Sequence, residues 1–450
     1  MSRRYFGTDG VRARVGQAPM TPQFVMRLGW AAGRVLGDGA EAPVLIGKDT
    51  RRSGYLFESA LEAGFSAAGA DVALLGPMPT PGVAYLTRAL GAAAGVVISA
   101  SHNPHEDNGV KFFSAAGDKL PDAVEEAIEA AVDGEMQCVE PSEVGAAQRI
   151  SDAQSRYADF CVDSYRGPSL AGKRVVLDCA NGAAYQVAPQ VLSRLGARLS
   201  TIGVAPDGFN INLGCGSTQL DALRTRVRAE KAELGIALDG DGDRCLMVDA
   251  DGNTIDGDQM LYLLARHRHE KGILRGPVVG TLMSNLALEQ AMDALAIPFR
   301  RAKVGDRYVL EVLQAEGGEV GGENSGHLLC LDRNSTGDGI LSALQVLEVL
   351  GERGIGLAEA ARDIPLYPQV MVNVRAGHDA AGICADAQVR DAVSAAEQAL
   401  DVRGRVLLRP SGTEPLVRVM VEAQEAELAR RHADAVAAVV RARADATAPA

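Results

Sequence analysis

One pattern recurs three times along the chain. An apolar run, "APVLIGKDTRRSG", leads through a helical stretch to "ADVALLGPMPTPG" and through another to "GVVISASHNP". Later "KRVVLDCANGAA" leads to "ARLSTIGVAPDG" and then to "LGIALDGDGDR", and later still "PVVGTLMSNLALEQ" leads to "IPFRRAKVGDRYV" and "GEVGGENSGH". Short apolar runs alternating with longer amphipathic ones build α/β layers, and self-similarity at this scale implies one domain per repeat. A chain of 450 residues also exceeds what one hydrophobic core organises. After Pro365 and Pro368 the pattern changes: "VMVNVRAG" and "LVRVMVEA" read as strands of a smaller sheet, followed by an Ala-rich amphipathic helix from about Gln424. The expected architecture is α/β with four domains around a central cleft: three similar α/β/α domains with mixed sheets (residues 1–152, 153–254 and 255–364) and a smaller α+β domain (365–450).

Each repeat closes its third strand with a polar loop, and equivalent ends of repeated domains are expected to converge. In the second repeat Asp239, Asp241 and Asp243 follow the strand at every second position. Carboxylates this close repel unless a cation or a set of donors neutralises them, and a hard, oxygen-seeking ion such as Mg²⁺ suits the set. The calcium-loop pattern fails, because Arg244 and Ala250 stand where it needs Gly and Glu. The bland reading of the stretch is a solvated Asp-Gly turn.

In the first repeat Ser101 of "SASHNP" either caps backbone N–H groups or carries chemistry. No G-x-S-x-G elbow surrounds it, and the adjacent His102 does not make a triad. In the third repeat "GGENSGH" places Glu323, Ser325 and His327 among glycines, a donor and acceptor set for sugar hydroxyls or an amine, or else a plain turn. In the fourth domain "LLRPSGTEPLVR" offers Arg409, Ser411, Gly412, Thr413 and Arg418 as a phosphate site, or forms a polar hairpin loop. Arg12, Lys303 and Arg307 read individually as solvated surface.

The composition excludes several classes. A net charge of -13 argues against a nucleic-acid partner, so any anionic substrate needs a local basic cluster. No run of about 18 apolar residues suggests a membrane span, and "MSRRYFGTDGV" lacks a signal-peptide core, so a cytoplasmic location is expected. Seven scattered cysteines, never in a C-x-x-C pair, indicate neither a disulfide framework nor a zinc site. Neither a P-loop nor a dinucleotide fingerprint exists.

Assembled in order, "SASHNP", "DGDGDR", "GENSGH" and "RPSGTEP" make the chain resemble the α-D-phosphohexomutase superfamily over essentially its full length. "YFGTDGVRA", "DCANGAAY", "DGFNINLGCGST" and "TGDGILSALQVLEVL" resemble its glucosamine-phosphate branch. The resemblance implies a phosphoserine at Ser101, with Asp239, Asp241 and Asp243 binding Mg²⁺ alongside the phosphoryl oxygen. It implies sugar contacts from Glu323 and Ser325, and contacts to the unreacting phosphate from Arg409, Ser411, Gly412, Thr413 and Arg418, with Lys303 also on the phosphate side. Arg12, Lys111, Arg244 and His327 match positions lining the reaction centre, Lys111 and His327 being the alternative general bases. Two departures are Asn324, where glucosamine enzymes often carry Gln, and His105, where a tyrosine or similar group is expected.

The implied activity interconverts glucosamine 6-phosphate and glucosamine 1-phosphate through glucosamine 1,6-bisphosphate, feeding UDP-N-acetylglucosamine synthesis. The partner is a phosphosugar, and homodimerisation is the family expectation. A phosphoglucomutase or phosphomannomutase, a metal-dependent phosphatase, and a non-catalytic sugar-phosphate-binding protein are the alternatives. A hinged fourth domain would close the cleft and exclude water.

Overall fold

The computed structural model describes residues 4–37, 42–376, 379–411 and 415–447. Strands β1 (Val11–Arg14), β2 (Val44–Lys48), β3 (Val72–Pro77), β4 (Ala94–Ile98), β5 (Asp107–Ser114) and β6 (Ala147–Arg149) form one sheet in the order 1-5-4-2-3-6. Strands β7 (Arg174–Asp178), β8 (Arg198–Ile202), β9 (Leu234–Leu238), β10 (Cys245–Asp249) and β11 (Thr254–Ile255) form a second, in the order 11-10-9-7-8. A third, in the order 13-12-14-15, holds β12 (Val278–Thr281), β13 (Phe299–Ala302), β14 (Val320–Gly322) and β15 (Leu328–Cys330).

The threefold repeat is therefore a shared topology. In each sheet the first strand of the repeat (β2, β7 or β12) lies parallel between the second and the third, and an antiparallel return strand (β5, β10 or β15) pairs with the third. β4 and β9 are buried along their whole length, as expected of central strands covered on both faces. In the first domain Val44, Ile46, Val96 and Ile98 pack with Leu28, Phe57, Leu61 and Phe65 from the helices Pro22–Leu36 and Ser53–Ala67.

The chain groups into two compact units, residues 1–281 with 298–362, and 282–297 with 363–450. In the second unit β16 (Gln369–Arg375), β17 (Gly404–Pro410) and β18 (Leu416–Ala423) form an antiparallel sheet in the order 16-18-17. Val417, Val419 and Val421 alternate inward against Ala429, Ala433, Val436 and Val440 of the helix Ala426–Thr447. The helix Leu286–Ala294 belongs to this unit: Glu422, fully buried, accepts the Leu286 N–H at 2.9 Å and pairs with Arg405 at 2.7 Å, while Asn285 exchanges hydrogen bonds with the Tyr367 backbone.

Arg307 is not solvated surface. Its guanidinium is buried and bonds Glu125 at 2.8 Å, Asp122 at 2.5 Å and the Leu120 carbonyl at 2.9 Å, docking the third domain's helix Asp306–Glu316 on the first domain. The pattern gave no hint of this, because the partners lie some 180 residues away. Arg307→Ala removes the guanidinium from the buried Glu125 and from the Leu120 carbonyl, and a stability loss of about 3 kcal/mol is expected in thermal or urea unfolding. Five of the seven cysteines are buried, packing as small apolar groups. Among the described residues no helix is long and apolar enough to cross a membrane.

Candidate active site

The three third-strand ends meet in the first unit. β4 delivers Ser99 and Ser101, β9 delivers Asp239, and β14 delivers Glu323. Ser101 adopts a left-handed backbone with φ of 50°, which costs an L-residue roughly 1–2 kcal/mol and signals a held conformation. Its Oγ donates to Asp239 Oδ2 at 2.7 Å and lies 3.3 Å from His102 Nδ1. Glycine is needed at position 240, since a Cβ there would come within 2.4 Å of the Ser101 carbonyl oxygen.

One carboxylate oxygen from each of Asp239, Asp241 and Asp243 lies within 4.8 Å of the others, and all three residues are buried. Asp241 is tied to the first domain: its Oδ2 accepts from Thr80 Oγ1 and from Lys111 Nζ, both at 2.7 Å, and its carbonyl accepts the Thr80 N–H. Among the described residues Asp241 Oδ1 is buried without a hydrogen-bond donor, and Asp243 Oδ1 faces His327 Nδ1 at 3.5 Å and Arg244 Nε at 4.0 Å. Burial, then the charges of Asp243 and Asp241, push the Asp239 carboxyl well above its ordinary range. Burial also opposes ionisation of Asp243, but Lys111 and His327 outweigh it and hold that carboxyl well below the usual range. Converging hard oxygens, two of them without a hydrogen-bond partner among the described residues, under mutual repulsion are a donor set that fits a small divalent cation.

Around the triad runs a chain of alternating charges. Lys111 Nζ reaches Asp241 at 2.7 Å, Asp9 at 2.9 Å and Asp243 at 3.3 Å. Lys119 bridges Asp9 at 2.8 Å and Asp306 at 2.6 Å, and Arg12 pairs with Asp9. His327 lies between Asp243 and Asp306, with Nε2 3.3 Å from the latter. Burial disfavours the imidazolium, yet Asp243 and Asp306 raise the His327 pKa to about 9. Burial, then Arg244 and Arg12, lower that of His102 to about 4, so it is neutral beside the serine. Asp9, Lys119, Asp306 and Thr80 join Ser101, the aspartates, Lys111, Arg12, Arg244 and His327 without having been singled out in the sequence. Asp9 and Asp306 stand inside stretches quoted above, "GTDGVRA" and "VGDRYV", but as single acids beside basic residues they carry no signal of their own.

On the third domain Glu323 Oε1 accepts the Gly305 N–H at 3.0 Å, and the buried Ser325 Oγ has no hydrogen-bond partner among the described residues. The Asn324 carbonyl accepts the Gly257 N–H, and Lys303 is exposed, its Nζ 5.5 Å from the Tyr308 ring centre. His105 meets the Phe209 ring edge-on at 5.5 Å, so this departure serves to seat a second-domain loop. On the second unit Arg409 and Arg418 sit directly opposite on β17 and β18, and burial together with Arg418 lowers the Arg409 pKa. The Ser411 N–H donates to the Leu416 carbonyl. Gly412 and Thr413 lie outside the described residues.

Four family models match in chain order: phosphoglucomutase/phosphomannomutase α/β/α domain I over residues 3–138, domain II over 155–252, domain III over 256–367 and the C-terminal domain over 371–439. Fold and domain set together are those of a phosphohexomutase. A phosphoglucosamine mutase of Cronobacter sakazakii is 57% identical over 97% of this chain and 100% of its own, and one of Thiobacillus denitrificans is 57% identical over 99% of each. Among solved structures, a phosphoglucomutase/phosphomannomutase family protein of Burkholderia thailandensis superposes with a TM-score of 0.84 at 24% identity, covering 100% of this chain and 99% of that one. The chain belongs to the phosphoglucosamine mutases of the phosphoglucomutase/phosphomannomutase family.

Proposed function

We propose that the chain interconverts glucosamine 6-phosphate and glucosamine 1-phosphate, with Ser101 as the phosphoryl carrier and glucosamine 1,6-bisphosphate as the intermediate. The observation that carries this reading is the Ser101 hydroxyl, hydrogen-bonded at 2.7 Å to a buried aspartate triad at the meeting point of repeated strand ends. In the forward step the Oγ–P bond of phosphoserine breaks as a P–O bond forms to O1 of the sugar, and the O1 proton passes to the neutral form of His327, since Asp9, Asp241 and Asp243 hold Lys111 as a cation. After the bisphosphate turns over, the O6–P bond breaks as Ser101 Oγ takes the phosphoryl group, and the proton taken from O1 is returned to O6. Asp239, Asp241 and Asp243 would hold Mg²⁺, which when bound supplies charge stabilisation to the transferring group.

The residues of the chain supply the rest. Lys111, Arg12 and Arg244 are cations fixed around the triad, placed to stabilise phosphoryl oxygens without reorganisation. Glu323 and Ser325 hold the sugar, the orphaned Ser325 hydroxyl finding its partner there. Arg409, Ser411, Gly412, Thr413 and Arg418 hold the phosphate that is not reacting.

Intact-mass analysis of purified protein, before and after alkaline phosphatase, tests the carrier: one phosphoryl adduct, mapped to Ser101, is expected. Its absence from active enzyme would end this reading. For the substrate, kcat/KM should be highest for glucosamine phosphates; equal turnover of glucose or mannose phosphates would reassign the specificity, and phosphate release exceeding isomer formation would make the protein a phosphatase.

A further inference from the structure

The Ser101 loop is gripped from behind by two side chains outside the reaction cluster. Arg51 is fully buried, and its Nη2 donates to the carbonyls of Ser101 (3.2 Å) and Asn103 (2.5 Å). Asn212, from the second domain, donates its Nδ2 to the same two carbonyls, both at 3.0 Å. Arg51 is itself fixed: Asp49 pairs with its guanidinium and accepts its backbone N–H at 2.9 Å. Ser99 closes the circuit, donating to Asp49 and accepting the Ser101 N–H at 2.9 Å.

We infer that Arg51 and Asn212 are positioning residues for phosphoryl transfer, holding Ser101 in its left-handed conformation so that Oγ stays aimed at the aspartates. The inference rests on Ser101 being the carrier, as proposed above. The clamp explains a conformation that the serine does not favour by itself. A left-handed Ser101 sets its carbonyl against Gly240, and every polar group of its peptide is then bonded: N–H to Ser99, C=O to Arg51 and Asn212. Two donors on each carbonyl also withdraw their partial negative charge from a centre that must accept a phosphoryl dianion. One donor comes from each of two domains, so the serine's aim depends on their docking.

Asn212 allows a clean test, because its own backbone is left-handed with φ of 60°. Asn212→Gly keeps that conformation without strain and removes the side chain with its amide donor. With the phosphoserine in place, kcat should fall about 10- to 100-fold, since small misplacements of reacting groups cost this much, while KM for the sugar phosphate changes less than about twofold. The phosphorus NMR line of the phosphoserine should broaden or shift, and phosphate release per isomerisation should rise. Asn212→Asp, which puts acceptors against the two carbonyls, should be worse. Arg51→Lys, which leaves Asp49 paired but cannot bridge both carbonyls, should reproduce the kcat loss if Asn212→Gly folds poorly.

Wild-type kcat and phosphoserine signal in Asn212→Gly, or a lowered melting temperature with kcat retained, would overturn the inference. Wild-type enzyme that is active with no adduct on Ser101 would instead remove the carrier reading on which it stands.

Discussion

Ser101→Ala is expected to lower kcat on the order of 10⁴-fold or more while leaving the protein folded, the loss typical of removing the group that carries the covalent intermediate. The substitution deletes the donor to Asp239 and the contact to His102, but leaves the N–H and carbonyl contacts of residue 101 intact. The stability change should therefore be small, and circular dichroism should show a melting temperature close to wild type. Intact mass should show no phosphoryl adduct even after incubation with the sugar bisphosphate. An alanine variant of undiminished activity would refute the mechanism.

The second large effect concerns the metal. Chelation should reduce turnover on the order of 10³-fold or more, and Mg²⁺ should restore it, because phosphoryl transfer depends on charge stabilisation more than on covalent chemistry from the protein. A readout independent of activity follows from the triad. Burial and the neighbouring carboxylates raise the Asp239 carboxyl above its unfolded value, so the folded protein binds more protons than the unfolded chain just above that value. This group's contribution to stability without metal is thus greatest at low pH and is lost as pH rises through the folded pKa. Mg²⁺ reverses the sign, since it requires the deprotonated carboxylates and competes with the proton. Saturating Mg²⁺ at about 100 times its Kd should stabilise the fold by about 2.7 kcal/mol, more visibly at pH 8 than at pH 5. Asp241→Asn should abolish that gain; a calorimetric melting temperature indifferent to Mg²⁺ in the wild type would exclude a site at the triad.

Much of this site is legible in the sequence because its reactive groups sit at strand ends. "SASHNP", "DGDGDR" and "GENSGH" each follow an apolar third strand, and the common strand order of the three sheets gives these loops equivalent places in their domains. The return strands β5, β10 and β15 are less legible, since nothing in so short a run shows which neighbour it pairs with. Asp9, Lys119 and Asp306 went unmarked for a different reason. A lone Asp or Lys in a polar segment is ordinary, and only its burial among opposite charges gives it a role. Arg51 and Asn212 illustrate the same limit: neither type of residue signals a clamp on a carbonyl 50 or 111 positions away.

The sequence alone determined the repeated α/β architecture, the change of pattern after Pro365 and the chemistry offered by each loop. These follow from local periodicity and from residue types whose pKa and ligand preferences are intrinsic. The tertiary structure decided what those groups meet: that Ser101 Oγ faces Asp239 rather than capping a helix, that Arg307 is a buried ion-pair partner, and that alternating charges from three domains enclose the triad. Such contacts are set by how separate sheets and helices pack, and Coulomb and hydrogen-bond energies depend on separation in space, not along the chain.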